Sequence, residues 1–323
     1  MADSTEGDTD IQDLGLLVPA LIALIAGLVI HSFIIGVNVT DWWKGRSVTP
    51  VDHIVTSLGI SRICTQCTVT LYLFFTKLLQ ISPHSPVTLV LIDAPYSFFT
   101  YGNFWLTSLL SIVLCLKISN FDSRLFLYLR RKIVHRTVYW IVGAIFLSAF
   151  NCLMPLMTAF TEMIRGQTYN TTIPDISLNY FNINYIFSFT IGALIPLLFY
   201  SISSVLLFIS LYNHIKIMKI SSNLTINLET YYSAMKLICV TFIYNTMYFF
   251  GHSVSGFYYY FYSVILESLH IVLDFLPVLH SSYLIYKTAK LRSQVSKVLQ
   301  NVVDFLFQKK DTETREDIEL VAQ

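Results

Sequence analysis

Residues 14–37 read LGLLVPALIALIAGLVIHSFIIGV, an apolar run of 24 positions interrupted only by Pro19, His31 and Ser32. An α-helix rises 1.5 Å per residue, so about 20 apolar residues cross the hydrocarbon core of a bilayer. The run is too long for the apolar segment of a secretory signal peptide. Residues 1–13 before it carry Asp3, Glu6, Asp8, Asp10 and Asp13 and no Lys or Arg, whereas a signal peptide has a basic start. The stretch therefore reads as a retained membrane-spanning helix.

Six further runs of this kind follow: Ile54–Phe75, about Leu91–Leu116, Val138–Phe160, Ile183–Leu211, about Met235–His252 and Tyr260–Tyr286. The last two are the least clean, being broken by Asn245, Glu267, His270 and Asp274. The expected fold is an all-α membrane protein, a seven-transmembrane helix bundle. Composition agrees. Only 13% of the 323 residues are charged and 54% are hydrophobic, against roughly 25% charged in soluble domains. A large solvated surface is excluded, and a net charge of +1 gives no electrostatic case for nucleic acid.

Loop charge sets the orientation. With the acidic N-terminus outside, 18 of the 21 Lys and Arg residues fall on the cytoplasmic side, leaving Lys77 and Arg165 outside and Arg62 within a span. Cytoplasmic loops carry such an excess of basic residues. The expected organisation is an extracellular acidic segment over residues 1–13 and a seven-span domain over 14–287. A cytoplasmic amphipathic juxtamembrane helix follows over 288–308, its apolar stripe running from Leu291 to Leu306, and residues 309–323 form a disordered cytoplasmic tail. Of three Asn-x-Ser/Thr triplets, only Asn170 falls outside and is usable for glycosylation.

Intramembrane polar groups mark candidate sites, because a charge at the bilayer centre costs roughly 2.5–3.5 kcal/mol on insertion scales. Arg62 must face the bundle and find acceptors, as a polar hinge or as a structural tie. Asn245, Tyr248 and His252 recur at helical spacing on the sixth span, and Glu267, His270 and Asp274 on the seventh. With Tyr101 and Trp105 on the third span they describe a small-molecule cavity near the outer mouth. Cys64 and Cys67 lack a second ligand pair, and no metal-ligand spacing or nucleophile–base set is present in the sequence. No cofactor, metal or enzymatic activity is expected. The basic inner loop 117–136 suits anionic lipid or a cytoplasmic partner.

Five segments stand in order along the spans: Leu58-Gly59-Ile60-Ser61-Arg62, Leu116-Lys117-Ile118-Ser119-Asn120-Phe121, Phe126-Leu127-Tyr128-Leu129-Arg130, Ser210-Leu211-Tyr212-Asn213-His214 with Met218, and Pro277-Val278-Leu279-His280-Ser281. Together they resemble the bitter taste receptor (taste receptor type 2) family of G-protein-coupled receptors. The corresponding motifs there are Leu-Ala-x-Ser-Arg, Leu-Lys-Ile-Ala-x-Phe, Ser-Leu-x-x-His-x-x-x-Met and Pro-x-x-His-Ser. The chain departs from that pattern at His31, Leu114, Tyr231 and Asn245, where the family has Asn, Tyr, His and Tyr.

The resemblance implies a plasma-membrane receptor for bitter or aversive small molecules that activates a heterotrimeric G protein of the gustducin/inhibitory (Gi) class. Ligand would enter among the third, fifth, sixth and seventh helices. Trp105 and Tyr101 would supply a stacking face, Asn245, Tyr248 and His252 the sixth-helix wall, and Glu267 and His270 polar contacts. Arg62, His280 and Ser281 would form an intramembrane polar switch. Lys117, Arg130, Arg131 and His214 would contact the G protein, and membrane lipid, sterol included, would surround the bundle. A vomeronasal type 1-like chemoreceptor and a seven-helix transporter or channel are the alternatives.

Overall fold

The structure is a computed structural model that describes residues 3–81, 88–119, 121, 123–165, 186–220, 228–262, 264–301 and 303–305. Among them the only regular secondary structure is helical. The chain divides into two compact units, Met1–His280 and Ser281–Gln323.

In the first unit, α1 is Asp3–Trp43 and α2 is Pro50–Leu73, prolonged by a π-helical turn over Phe74–Leu78. The link between them is tightly specified. Gly45 takes φ +66°, which only glycine adopts without strain, and Arg46 closes a 2.9 Å ion pair on Asp41. Thr49 then caps α2 reciprocally with Asp52: the Asp52 amide donates to Thr49 Oγ1 (3.3 Å) and the Thr49 amide to Asp52 Oδ2 (3.0 Å), with Pro50 opening the helix.

The third span opens with a π-helical turn, Leu89–Asp93, and continues as α3, Ala94–Ile118. It is the hub, packed against α2, α4 (Arg124–His135), α5 (Thr137–Arg165) and α6 (Ile195–Ile220, preceded by a π-helical turn over Phe189–Leu194). In lipid no water competes for side-chain donors, and small polar residues join helices at close approach. Here Ser203 Oγ donates to Ser111 Oγ at 2.8 Å, Asn103 Nδ2 donates to Thr65 Oγ1 at 3.0 Å, and Ser61 Oγ donates to the Phe99 carbonyl at 3.0 Å. The principal apolar core lies between α2, α3, α4 and α5, around Ile54, Leu58, Leu109, Val113 and Ile133.

The sixth span is α7, Leu228–Tyr262, and the seventh is α8, Glu267–Lys287. In the most apolar stretch of the third span 61% of the residues are buried, against 6% in the sixth. The sixth span is thus the least buried of the six helices, among the described residues, that are long and apolar enough to cross a membrane.

Among the described residues six helices have the length and apolarity to cross a membrane. Arg124–His135 and Thr137–Leu153, bent by 83° at their junction, bring the number to seven if they form one broken span. Two expectations are corrected. The seventh span begins at Glu267, and Tyr260–Tyr262 close the sixth helix instead. The helix end falls inside the run Phe257–Leu266, interrupted only by Ser263, so hydropathy does not register it. The basic inner loop also contains a helix, α4, capped by Ser123, whose hydroxyl accepts from the Phe126 amide at 3.4 Å.

In the second unit, residues 289–301 and 303–305 are helical, and Val298, Leu299, Val303 and Phe305 are exposed apolar side chains. Asn170 and residues 309–323 lie outside the described residues.

Candidate functional site

Tyr96 sits at the N-terminal end of α3, where its hydroxyl meets two histidines from different helices: His252 Nδ1 of α7 at 3.1 Å and His270 Nδ1 of α8 at 3.0 Å. A phenol carries one proton, so it donates to one imidazole and accepts from the other. His270 Nε2 has its own partner in Ser255 Oγ, 2.7 Å away on α7. Whichever way the protons run, the buried Nε2 of His252 is left with no hydrogen-bond partner. It is a polar atom in an aromatic surround. The His252 ring stands edge-on to Tyr248 (centroids 4.5 Å) and to Phe104 (5.7 Å), and Phe104 in turn contacts Phe249 at 5.6 Å.

Tyr101 joins this aromatic cluster beside Phe189, packing where Gly192 of the fifth span leaves room for its ring. Trp105 does not. Nine residues separate it from Tyr96, a rotation of about 180° around a helix of 3.6 residues per turn. It packs against the α2–α3–α5 core instead, with its indole Nε1 buried and without a partner. Glu267, at the start of α8, is held by Lys77 of the second span at 3.0 Å. Asp274 is buried one turn below His270, and its backbone carbonyl accepts from Gln66 Nε2 at 3.0 Å.

Deeper in the bundle lies a cavity of about 30 Å³ lined by Arg62, Asn103, Phe104, Thr107, Tyr200, Tyr244, Asn245, Tyr248, Phe249 and His280, among others. Asn245 is fixed by donating to the Tyr200 hydroxyl at 3.0 Å. Arg62 lies at one wall, its Nη1 3.2 Å from His280 Nδ1. Arginine has donors only, so His280 presents a lone pair at Nδ1 and carries its proton on Nε2. The sequence-expected pairing of Arg62 with the seventh helix is thus made through a side chain. Ser281 follows His280 along α8 and begins the second unit. His31 of α1 is wholly buried with both ring nitrogens unpartnered.

At the opposite end of the spans, Lys117 ends α3 exposed, Arg130 and Arg131 are exposed on α4, and the His214 ring of α6 lies 6.3 Å from that of Tyr231 on α7. The residues that sequence reasoning missed are Tyr96, Asn103, Tyr200, Ser255 and Lys77. A signal existed for the first two: Tyr96, Thr100, Asn103 and Thr107 recur at steps of four, three and four, one polar stripe along the helix.

The sequence has known relatives. A family model described as taste receptor protein (TAS2R) matches residues 10–303. The chain is 30% identical over 310 residues to taste receptor type 2 member 9 of Macaca mulatta, covering 87% of this chain and 91% of that protein. It is 30% identical over 220 residues to taste receptor type 2 member 16 of Rattus norvegicus, covering 67% and 72%. To taste receptor type 2 member 16 of Mus musculus it is 29% identical over 214 residues, covering 65% and 70%.

Proposed function

Since this chain belongs to the taste receptor type 2 (TAS2R) family and is a multi-pass membrane protein, we propose that it is a G-protein-coupled receptor for bitter or otherwise aversive small molecules. Seven spans cross the plasma membrane, α5 being the fourth and α4 lying along the inner leaflet before it. The acidic N-terminus and Asn170 are extracellular. The helix over residues 288–308 lies on the inner leaflet with its apolar stripe in lipid, and the tail 309–323 is cytoplasmic.

The observation that carries the ligand site is the Tyr96–His252–His270 junction, which joins three helices and leaves a buried nitrogen inside an aromatic box. Ligand pockets combine apolar walls with a few convergent polar groups. The cavity below is about 30 Å³, whereas drug-sized ligands occupy roughly 300–1,000 Å³. Agonist binding therefore parts the junction, and the weakly embedded sixth helix is the element free to move. Ligand and opening are linked as a shift between two pre-existing states. Asn245, Tyr248, His252, His270 and Tyr101 line the opened site. Its inner counterpart admits a gustducin/inhibitory-class G protein against Lys117, Arg130, Arg131 and His214, with anionic lipid and sterol around the bundle.

The test is a panel of bitter compounds on cells expressing the chain with a matched Gα, surface expression verified, and His252→Ala in parallel. The reading predicts calcium or cAMP responses to a subset of compounds and, in the variant, a loss of potency confined to those agonists that bond the imidazole, the others keeping or gaining potency as the latch is weakened. Silence across the panel from well-expressed protein overturns it.

A further inference from the structure

In the second unit the helix over residues 289–301 is packed at its start and bare beyond it. Leu291 is buried, whereas every residue from Ser296 to Asn301 is exposed, the apolar Val298 and Leu299 included. A helix this short without packing is marginal in water. Val298 and Leu299 stand seven and eight residues after Leu291 and continue its side of the helix, so a lipid surface can supply the missing packing. Ser293 is on the other side. Two positions from Leu291, it is turned about 160° from it around the axis, and it is exposed. Lys290 stands three residues before Ser293 and Lys297 four residues after, the spacings at which side chains meet on one helix face, and Arg292 is adjacent. The Arg292 amide donates to the Thr288 carbonyl at 2.9 Å, so helical register runs into this turn.

We propose that Ser293 is a phosphate acceptor for a basophilic serine kinase and that its phosphorylation releases this helix from an anionic lipid surface. The proposal rests on the cytoplasmic placement of residues 288–308 given above, and is independent of which agonist the receptor recognises. Lys290 and Arg292, three and one positions before the serine, are the charges such a kinase selects. In the transfer, Ser293 Oγ bonds to the γ-phosphorus of ATP while the bond from that phosphorus to the β,γ-bridging oxygen breaks. ADP leaves, and the hydroxyl proton passes to the kinase's base. The phosphate brings a charge of about −1.5 to −2 into the middle of the basic face. There it neutralises Lys290 and Lys297, the side chains that draw the helix to anionic headgroups, and is itself repelled by them. Once detached, the helix has only Leu291 to hold it and unfolds locally.

The experiment treats the purified full-length receptor with ATP and the catalytic subunit of cAMP-dependent protein kinase, in nanodiscs of phosphatidylcholine alone or enriched in phosphatidylserine. Peptide mass spectrometry locates the phosphate, and hydrogen exchange follows the amides of residues 293–301. The expected result is phosphate on Ser293, added at least roughly threefold faster in the neutral nanodiscs, where the basic face is not held to the lipid. In the phosphatidylserine nanodiscs the modification is expected to lower amide protection about tenfold. Ser293→Ala removes both the phosphate and the loss of protection, Ser296→Ala leaves both, and Lys290→Gln with Arg292→Gln slows the transfer. No phosphate on Ser293 in either lipid overturns the proposal. So does phosphorylated Ser293 with unchanged protection, an equal rate in both lipids, or an effect that survives Ser293→Ala. Nanodiscs expose both faces, so this outcome does not depend on orientation. An epitope placed after Gln323 and stained only in permeabilised cells tests the cytoplasmic placement separately, and staining of intact cells removes the kinase's access and with it the proposal.

Discussion

The hydroxyl of Tyr96 and Nδ1 of His252 stand 3.1 Å apart, and the same oxygen lies 3.0 Å from Nδ1 of His270, so one side chain of the third helix latches the sixth and seventh. If agonists act by parting this latch, weakening it favours the open state. Tyr96→Phe is expected to raise basal signalling and to lower the half-maximal concentration about tenfold for agonists that do not bond the hydroxyl, since each buried hydrogen bond contributes about 1 kcal/mol. Dose–response curves with and without agonist decide it. A uniform loss of potency at unchanged basal signal would show that the hydroxyl contacts ligand directly.

Trp105 faces away from that latch and into the core shared with Leu58 and Leu109. Removing a large packed side chain costs several kcal/mol, and a loss of 1–2 kcal/mol already changes cellular abundance several-fold. Trp105→Ala is therefore expected to cut surface expression by about threefold or more while leaving the potency of the surviving receptor within about twofold. Normal expression with a large, agonist-selective loss of potency would return Trp105 to the ligand wall.

The contrast between Trp105 and Tyr96 marks how far the sequence could be read. Spans were legible because hydropathy depends on composition along the chain. The end of the sixth helix was not, because it falls inside the run Phe257–Leu266, which carries a single Ser and neither Gly nor Pro. The helix Arg124–His135 announced itself through the Ser123 cap and the Phe126, Leu129, Ile133 spacing, yet its basic residues drew the reading toward a loop. On the sixth and seventh helices the spacing groups His252 with Asn245 and Tyr248, and His270 with Glu267 and Asp274, each within its own helix. What joins them is a tyrosine of the third helix, and which face of that helix turns inward is a property of the packed bundle. The two aromatic residues Tyr101 and Trp105 outweighed the polar stripe of Tyr96, Thr100, Asn103 and Thr107, although in lipid the polar stripe is the face that must be buried.

Lys77 and Glu267 form a 3.0 Å ion pair between the second span and the start of the seventh, about one turn from His270. Paired in this way the carboxylate is screened from a cationic ligand. Lys77→Met leaves Glu267 its charge and removes that competitor. Agonists bearing an amine are then expected to gain potency by roughly three- to tenfold, and neutral agonists to change by less than about twofold, a partly exposed pair contributing about 0–1 kcal/mol to stability. Glu267→Gln in the same background abolishes the difference. Equal shifts for both agonist classes would place the carboxylate outside the binding site.

His31 is wholly buried on α1 with no partner for either ring nitrogen. An unsatisfied buried polar group carries a penalty of about 1–3 kcal/mol. The position lies close to α2, where Gly59 approaches the His31 carbonyl, and the donors of Thr65 and Gln66 on α2 are already used, Thr65 donating to the Ser61 carbonyl and Gln66 Nε2 to that of Asp274. A shorter amide keeps a donor and an acceptor while shedding ring volume, and can rotate toward backbone carbonyls that a rigid imidazole does not reach. His31→Asn is accordingly expected to leave agonist potency unchanged and to raise the thermal midpoint of the purified receptor by roughly 2–4 °C, the shift that about 1 kcal/mol produces in a chain of this size. His31→Leu removes both nitrogens at similar volume and is expected to be neutral or mildly stabilising, because deleting an unpartnered polar group forfeits no bond. A midpoint that falls in both variants would mean that the imidazole is bonded in the membrane, and Arg62 and His280 would then have to be regarded, with His31, as one three-helix unit.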